Sequence, residues 1–198
     1  MSKVCLGMLV VATASACQQG SASERGAAPS AAGSASPASP QTAGVARNLG
    51  VTWTAPDSFS TVTTPSAMRA ASYRVPPAPG DPEAGDLGVF YFGADEGGGV
   101  ERNVSRWVAQ FPDVPAGSVK RRQRTENGLL QHIVEIEEGT FQSGMPGGPT
   151  TPKPGHALYG AIVEAPSGLY FFKLTGPKAT VAAARAPLET MLATVAPK

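Results

Sequence analysis

The chain has 198 residues, with 23 glycines and 19 prolines, and only 16% of its residues are charged, against about 25% in an average soluble domain. Its two cysteines exclude a disulfide-rich scaffold, and 16 basic against 15 acidic residues exclude a strongly basic nucleic-acid-binding protein. The two histidines leave little room for a histidine-built metal site. This mixture does not describe one uniform globule, so we expect segments of different character along the chain.

An export signal is predicted at residues 1–16. Lys3 and the amino terminus precede an apolar run from Val4 to Ala12, and small residues follow that run. The run is shorter than the roughly 20 apolar residues that cross a bilayer. The pattern therefore favours a cleaved signal peptide over a transmembrane anchor.

The small residues end in Ala14-Ser15-Ala16-Cys17, which resembles the lipobox of bacterial lipoproteins. The resemblance implies cleavage before Cys17 and its acylation by chains such as palmitate, so that membrane lipid becomes a partner of the protein. Two or more acyl chains anchor a protein stably. Ordinary cleavage after Ala16 without lipidation is the alternative. Gln18 is not the aspartate that retains some lipoproteins at an inner membrane, and this analogy slightly favours the outer membrane.

Residues 17–50 are predicted to form a disordered tether. Between residues 18 and 50, 23 of 33 residues are Ala, Ser, Gly or Pro, and none is aromatic. Such a segment cannot bury enough apolar surface to offset the entropy of the chain. We expect it to hold a folded domain away from the membrane.

Residues 51–198 carry the aromatic residues and are predicted to form one domain. Apolar runs predict strands at Val51–Thr54, Met68–Val75 and Leu87–Phe92. An apolar stripe from Val100 to Phe111 predicts a helix, and Trp107 belongs to that stripe. A second helix is predicted from Pro177 to the C-terminus, with a kink or a split near Ala186 because Pro187 interrupts it.

A hairpin is predicted to turn at Asn127-Gly128, since this pair accepts the positive φ angles of a type I′ turn. A two-residue turn places Lys120 opposite Glu135, a favourable cross-strand pair. The same register places Arg121 beside Val134, so a bulge is expected there.

A second hairpin is predicted from the arms Ala157–Ala165 and Leu169–Thr175. Both arms are apolar on both faces apart from Glu164 and Lys173, which is typical of the centre of a sheet. The glycine- and proline-rich segment 142–155 before it is predicted to be a long mobile loop.

Together these elements predict an α+β fold, a mostly antiparallel sheet of six to seven strands with two main helices. The run Tyr170–Pro177 and the helix beginning Thr180-Val181-Ala182-Ala183-Ala184 are similar to small bacterial lipoproteins of the PsbP-like α/β/α sandwich type. PsbP-like folds serve as extrinsic subunits, binding modules and import factors. The resemblance therefore implies no catalytic residues.

Candidate binding residues are His132, His156 and Trp107. His132 shares a strand face with apolar residues, so a hydrogen-bonded histidine at the edge of the core is the competing interpretation; His156 lies at a predicted junction of loop and strand. The sequence contains no nucleophile motif, phosphate loop or paired-cysteine metal motif. Acidic residues in glycine-rich loops are interpreted as solvated turn residues rather than metal ligands, namely Asp81, Glu83, Asp86, Asp95 and Glu96.

The expected function is that of a non-catalytic envelope lipoprotein whose domain binds an envelope protein or a small ligand, without a cofactor, a metal or nucleic acid. The alternative is an envelope hydrolase that uses His132 or His156. That alternative requires a Ser, Cys or carboxylate group within hydrogen-bond reach of one imidazole.

Overall fold

The computed structural model describes residues 49–63, 66, 68–144 and 148–198, all within the unit Ala38–Lys198. The predicted signal peptide, Cys17 and the predicted tether up to residue 48 lie outside the described residues. Leu49, assigned above to the tether, is buried in the core, and the Gly50 carbonyl accepts a hydrogen bond from the Lys198 backbone N–H. The folded domain therefore begins no later than Leu49.

Nine strands and two α-helices make up the described part of the chain. The helices are α1 (Val100–Val108) and α2 (Lys178–Ala193), and Ala116–Ser118 form a short 3-10 turn. Neither α-helix of the described residues has the length and apolarity needed to cross a bilayer. The strands are β1 (Val51–Thr52), β2 (Ser60–Thr61), β3 (Arg69–Val75), β4 (Gly85–Tyr91), β5 (Lys120–Glu126), β6 (Leu129–Gly144), β7 (Thr150–Ala165), β8 (Gly168–Pro177) and β9 (Ala196–Pro197).

Seven strands form one antiparallel sheet in the order β2-β3-β4-β8-β7-β6-β5, and β1 pairs with β9 in a two-stranded sheet. The predicted α+β class with a mostly antiparallel sheet is confirmed. The hairpin arms β7 and β8 lie at the centre of the large sheet, as their apolar faces predicted. Burial on both sides explains this position, because a helix covers each face.

Side chains of β8 alternate between two separate cores. Tyr170, Phe172 and Leu174 lie in the core beneath α2, whereas Phe171 lies in the core beneath α1. Lys173 follows Phe171 on the α1 face. A charged side chain is therefore placed at the centre of the sheet, on the side that the short helix α1 covers.

The hairpin at Asn127-Gly128 is confirmed, with φ angles of 52° and 78° at the two turn residues. Lys120 lies opposite Glu135 as predicted. The expected bulge is wrong, because pairing between β5 and β6 is uninterrupted from Lys120 to Glu126. Arg121 extends from this edge strand to Glu101 of α1 at 3.0 Å, so its charge has a partner without a bulge.

The prediction of a long loop at 142–155 is largely wrong. The strands β6 and β7 continue through this segment, with Gln142 opposite Pro152 and Ser143 opposite Thr151; residues 145–147 lie outside the described residues. Pairing of β7 with β8 begins only at His156. Residues 150–155 therefore have one free edge, where a proline removes no sheet hydrogen bond.

The helix α2 runs continuously across Pro187, so the predicted split is wrong. Proline in a helix interior removes one hydrogen bond and costs about 3 kcal/mol. Val181, Ala184, Leu188 and Leu192 of α2 are buried against the sheet, which offsets that cost. Tertiary burial thus maintains a helix that local propensity disfavours.

Candidate functional site

A polar pocket of about 270 Å³ lies on the α1 face of the large sheet, beyond the C-terminal end of α1. It opens over the centre of the sheet, where β4, β8 and β7 run side by side. Aromatic rings of Phe90 and Phe141 form part of its wall. Its charged and ionisable lining residues are Arg69, Glu83, Asp86, Lys153, His156 and Lys173.

Lys173 is a partly buried lysine in this pocket. Its ammonium donates a hydrogen bond to Oε1 of Gln110 and lies 5.5 Å from the centroid of the Phe141 ring. Burial lowers the pKa of Lys173 from 10.5 to about 8, with nearby Asp86 opposing and Arg69 adding to that shift. The protein thus holds this ammonium in an environment that disfavours its charge.

Two glycines make room around Lys173, because Gly88 of β4 and Gly160 of β7 lie directly opposite it. A Cβ atom at Gly160 would lie 2.3 Å from the indole ring of Trp107. A Cβ atom at Gly88 would lie 2.6 Å from the ring of Phe90. The glycines therefore let aromatic rings approach the backbone of the sheet closely on both sides of the lysine.

Arg69 and Asp86 form the first ion pair of the pocket. Two nitrogens of the guanidinium donate to the two carboxylate oxygens, at 3.2 and 3.0 Å. The Arg69 guanidinium carbon also lies 5.1 Å from the Phe90 ring centroid. Such a two-point contact orients both side chains along one wall.

Glu83 forms the second group of ion pairs. One of its carboxylate oxygens accepts a hydrogen bond from Lys153 at 2.6 Å, and the other lies 2.9 Å from Nε2 of His156. The hydrogen bond from Lys153 holds the pKa of Glu83 below its ordinary value, and the charge of His156 acts in the same direction. Glu83 is therefore a carboxylate held between two basic groups.

His156 is buried, and protein atoms face both of its ring nitrogens. Nδ1 lies 3.2 Å from the Pro154 carbonyl oxygen, and Nε2 faces Glu83. The ring also stacks on Phe141, with centroids 6.2 Å apart. Both contacts of His156 are to acceptors, so both form together only when both nitrogens carry a proton.

His132 lies outside the pocket, at the edge of the core. Its Nε2 is 2.6 Å from the Glu164 carboxylate, and its Nδ1 is 3.0 Å from the Gln123 side-chain nitrogen. A carboxylate is thus within reach of both histidines, as the hydrolase alternative requires. In each imidazole, however, both nitrogens contact protein groups that are not nucleophiles, namely Gln123 and Glu164 for His132 and Pro154 and Glu83 for His156.

Trp107 lies in the core beneath α1, packed over Gly160. Its indole ring packs on Gly160, the residue paired with Lys173, and it is not among the residues that line the pocket. The structure thus brings His156 to the pocket and places Trp107 and His132 elsewhere.

Three of the five acidic residues interpreted as solvated turn residues have protein partners, namely Asp81, Glu83 and Asp86, whereas Asp95 and Glu96 are exposed. Asp81 accepts hydrogen bonds from the backbone N–H and hydroxyl of Thr180, in the first turn of α2. Within the described residues, no group of three His, Cys, Asp or Glu side chains is arranged to hold a metal ion.

Sequence reasoning missed most of the pocket. Arg69, Gln110 and Lys153 carry no motif, and each comes from a different part of the chain. One signal was present, since Lys173 is one of only two charges in the central hairpin arms. A lysine in a strand that is apolar on both faces indicates a functional or structural polar site.

Among known proteins, solved structures resemble this chain, whereas protein-family models and curated proteins do not. No protein-family model matches the chain, and no curated protein matches it. Among solved structures, LpqN of Mycobacterium tuberculosis, involved in cell envelope biogenesis, is similar at a TM-score of 0.47 and 9% identity, over 74% of this chain and 82% of that one. The PsbP protein CyanoP of the cyanobacterium Synechocystis sp. PCC 6803 is similar at 0.47 and 12% identity, over 75% and 87% of the two chains. Both similarities concern the fold alone.

Proposed function

We propose that this protein is a lipid-anchored protein of the bacterial cell envelope whose folded domain is a non-catalytic module that binds a small polar ligand. The observation that carries the binding role is the polar pocket around Lys173. A volume of about 270 Å³ is close to the lower end of the range for small-molecule sites. A concave polar pocket favours a small ligand over a protein partner, for which a flat surface would be expected.

Binding is favoured over hydrolysis because of the histidine contacts. In serine and cysteine hydrolases the catalytic imidazole contacts the hydroxyl or thiol that attacks the substrate. The nitrogens of His156 contact Pro154 and Glu83, and those of His132 contact Gln123 and Glu164. Neither histidine therefore contacts a hydroxyl or thiol nucleophile among the described residues, and their contacts connect neighbouring segments of the sheet.

The binding role is tested by native mass spectrometry of the full chain purified from a bacterial host. We expect the protein to retain a small molecule that is lost in Lys173→Met and kept in Lys120→Met. Lys120 is a matched control because it is exposed on the edge strand β5. Retention of the same molecule by Lys173→Met would contradict the assignment of the pocket as its binding site. Wild-type protein that retains no small molecule in native mass spectrometry would contradict the binding role.

The anchor rests on the sequence around Cys17 and on the predicted tether. Acyl chains on Cys17 would hold the domain at a membrane, and the analogy at Gln18 slightly favours the outer membrane. The tether would hold the domain away from the lipid surface, so that the pocket stays open to solvent. Mass spectrometry of the mature N-terminus and membrane fractionation test this. Cys17→Ser should release the protein from membranes, whereas Cys5→Ser, inside the predicted signal, should leave it attached. An unmodified Cys17 in the wild type would contradict the anchor.

A further inference from the structure

We propose that the ligand of the Lys173 pocket carries an anionic group, a carboxylate or a phosphate, that pairs with the ammonium of Lys173. This inference rests on the proposed binding function and names the chemical class of the ligand. Three observations support it: the balance of charges in the pocket, the hydrogen-bonding capacity of Lys173, and the cations that already lie over the rings of Phe90 and Phe141.

The charges in the pocket are unequal. Two carboxylates, Glu83 and Asp86, face the three cationic side chains of Arg69, Lys153 and Lys173, and the His156 imidazole also lies against Glu83. Each carboxylate is already paired, Asp86 with Arg69 and Glu83 with Lys153. Among the residues that the structure describes, no salt bridge includes Lys173. Lys173 is thus the cation that an incoming anion would neutralise.

The ammonium of Lys173 has more N–H donors than the one that Gln110 accepts from. It carries three N–H donors, and its partners in the described structure are the Gln110 amide oxygen and the face of the Phe141 ring. A neutral amide and a ring compensate a partly buried charge less well than a carboxylate does. Ser143 and Thr175 also line the pocket, and their side chains carry hydroxyl groups, which are hydrogen-bond donors for anion oxygens.

An organic cation would fit this pocket poorly. Cations are held by aromatic faces, and both rings at this site are already engaged, Phe90 by Arg69 and Phe141 by Lys173. A bound cation would also meet the positive charges of Arg69, Lys153 and Lys173 at short range in a partly desolvated space. The arrangement therefore discriminates by charge sign.

The residues around Lys173 restrict the position of its side chain, which is expected of a lysine that binds a specific ligand. Gln110 is the residue that accepts from the ammonium, and its backbone carbonyl accepts a hydrogen bond from Gln142 N–H at 2.7 Å. That contact ties the end of α1 to β6. With Trp107 packed on Gly160 and Phe90 over Gly88, the lysine stem is confined on both sides. An anion would therefore find a positive group in a restricted position.

The test is an NMR titration of the full chain with inorganic phosphate, succinate, neutral erythritol and the cation choline. We expect phosphate or succinate to shift the backbone resonances of Lys173, Gln110 and Thr175. Lys173→Met should weaken that binding by about tenfold or more, the usual effect of losing a charge-assisted hydrogen bond. Lys120→Met should leave it unchanged.

A second variant gives a change in the opposite direction. Asp86→Asn removes a carboxylate and frees the Arg69 guanidinium, so anion binding measured at pH 6, where Lys173 keeps its proton without the help of Asp86, should strengthen by several-fold. Weaker anion binding in this variant would overturn the inference, because an anion cannot prefer the extra negative charge. The variant also covers the case in which Lys173→Met fails to fold.

The outcomes separate this inference from the binding function. If erythritol or choline shifts the pocket resonances in a Lys173-dependent way and the anions do not, the anion assignment is wrong and the binding function stands. If no probe shifts them and native mass spectrometry finds no retained molecule, both are wrong. If succinate binds and phosphate does not, the anionic group is a carboxylate, and the reverse result assigns a phosphate.

Discussion

Gly160 of β7 lies beneath the indole ring of Trp107, so closely that a Cβ atom at Gly160 would come within 2.3 Å of the ring. This contact joins α1 to the centre of the large sheet. It also lies directly beside Lys173, which is paired with Gly160 in the β7–β8 register. Gly160 therefore serves two functions, since it lets Trp107 pack on the sheet and lies beside the lysine of the pocket.

We expect Gly160→Ala to destabilise the protein by about 2 to 3 kcal/mol, because the new methyl group forces the indole ring or the strand to move. Urea denaturation measures this. Gly117→Ala is the control, since no atom lies within 4 Å of a Cβ placed there, and it should change stability by less than about 0.5 kcal/mol. Equal effects of the two substitutions would show that the Trp107 contact is not tight.

Lys173→Met should stabilise the protein at pH 7. The folded-state pKa of Lys173 is about 8, below its ordinary value of 10.5. The unfolded chain therefore binds the proton more tightly, and wild-type stability rises as pH increases from about 8 to 10.5. The lysine is only partly buried, so we expect a gain of about 2 kcal/mol in the variant at pH 7.

The difference in free energy of unfolding between Lys173→Met and the wild type should shrink as pH rises above 8, because Lys173 of the wild type loses its proton and no longer destabilises the fold as a buried charge. Urea denaturation of both proteins at pH 7 and pH 9.5 measures the difference. The comparison with the variant removes contributions from other groups that titrate in this range. A gap between the two proteins that stays constant with pH would contradict the assignment of the charge cost to Lys173.

Succinate binding should weaken as pH rises through about 8. Lys173 loses its proton over this range, whereas succinate remains a dianion, so the attraction between them is lost. Calorimetry at pH 6.5 and pH 9 measures the two affinities. Any residual binding by Lys173→Met should show no such change, and a pH-independent wild type would show that another cation holds the ligand.

Asp81→Ala should cost about 1 to 2 kcal/mol, because Asp81 accepts from the backbone N–H of Thr180 at 2.8 Å in the first turn of α2. Thermal denaturation followed by circular dichroism tests this. Asp95→Ala removes an exposed loop carboxylate and should have an effect close to zero. A loss of similar size for Asp95 would mean that general charge, rather than the helix contact, is responsible.

Two substitutions at Asn127 separate backbone strain from hydrogen bonding. Its side chain donates to the carbonyl oxygens of Ala193 and Val195, each at 2.9 Å, and its φ angle is 52°. Both Asn127→Gly and Asn127→Ala lose these hydrogen bonds. Glycine adopts a positive φ without strain, whereas alanine keeps a Cβ there without the polar side chain that lets asparagine tolerate this conformation. We expect Ala to be less stable than Gly by about 1 kcal/mol in urea denaturation. Equal stabilities would show that the turn relaxes.

Local signals in the sequence were sufficient for much of the fold. Positive φ angles at Asn127-Gly128 are a property of those two residues, so the turn and the Lys120–Glu135 register followed from the sequence. The central position of β7 and β8 followed from their apolar faces. The predicted loop at 142–155 and the predicted split of the helix at Pro187 are wrong, because an unpaired strand edge and burial against the sheet overrode the ordinary effect of proline.

By itself, the sequence determined the α+β class, the centre of the sheet and the hairpin turn, and it predicted the export signal and lipid anchor, since each depends on residues close together in the chain. Tertiary structure alone decided the pocket. Arg69, Glu83, Gln110 and Lys153 meet Lys173 only because the strand order β3-β4-β8-β7 and the end of α1 bring distant segments together. The charge of a pocket depends on which side chains converge in space, and that convergence is set by strand register and helix packing rather than by neighbours in sequence.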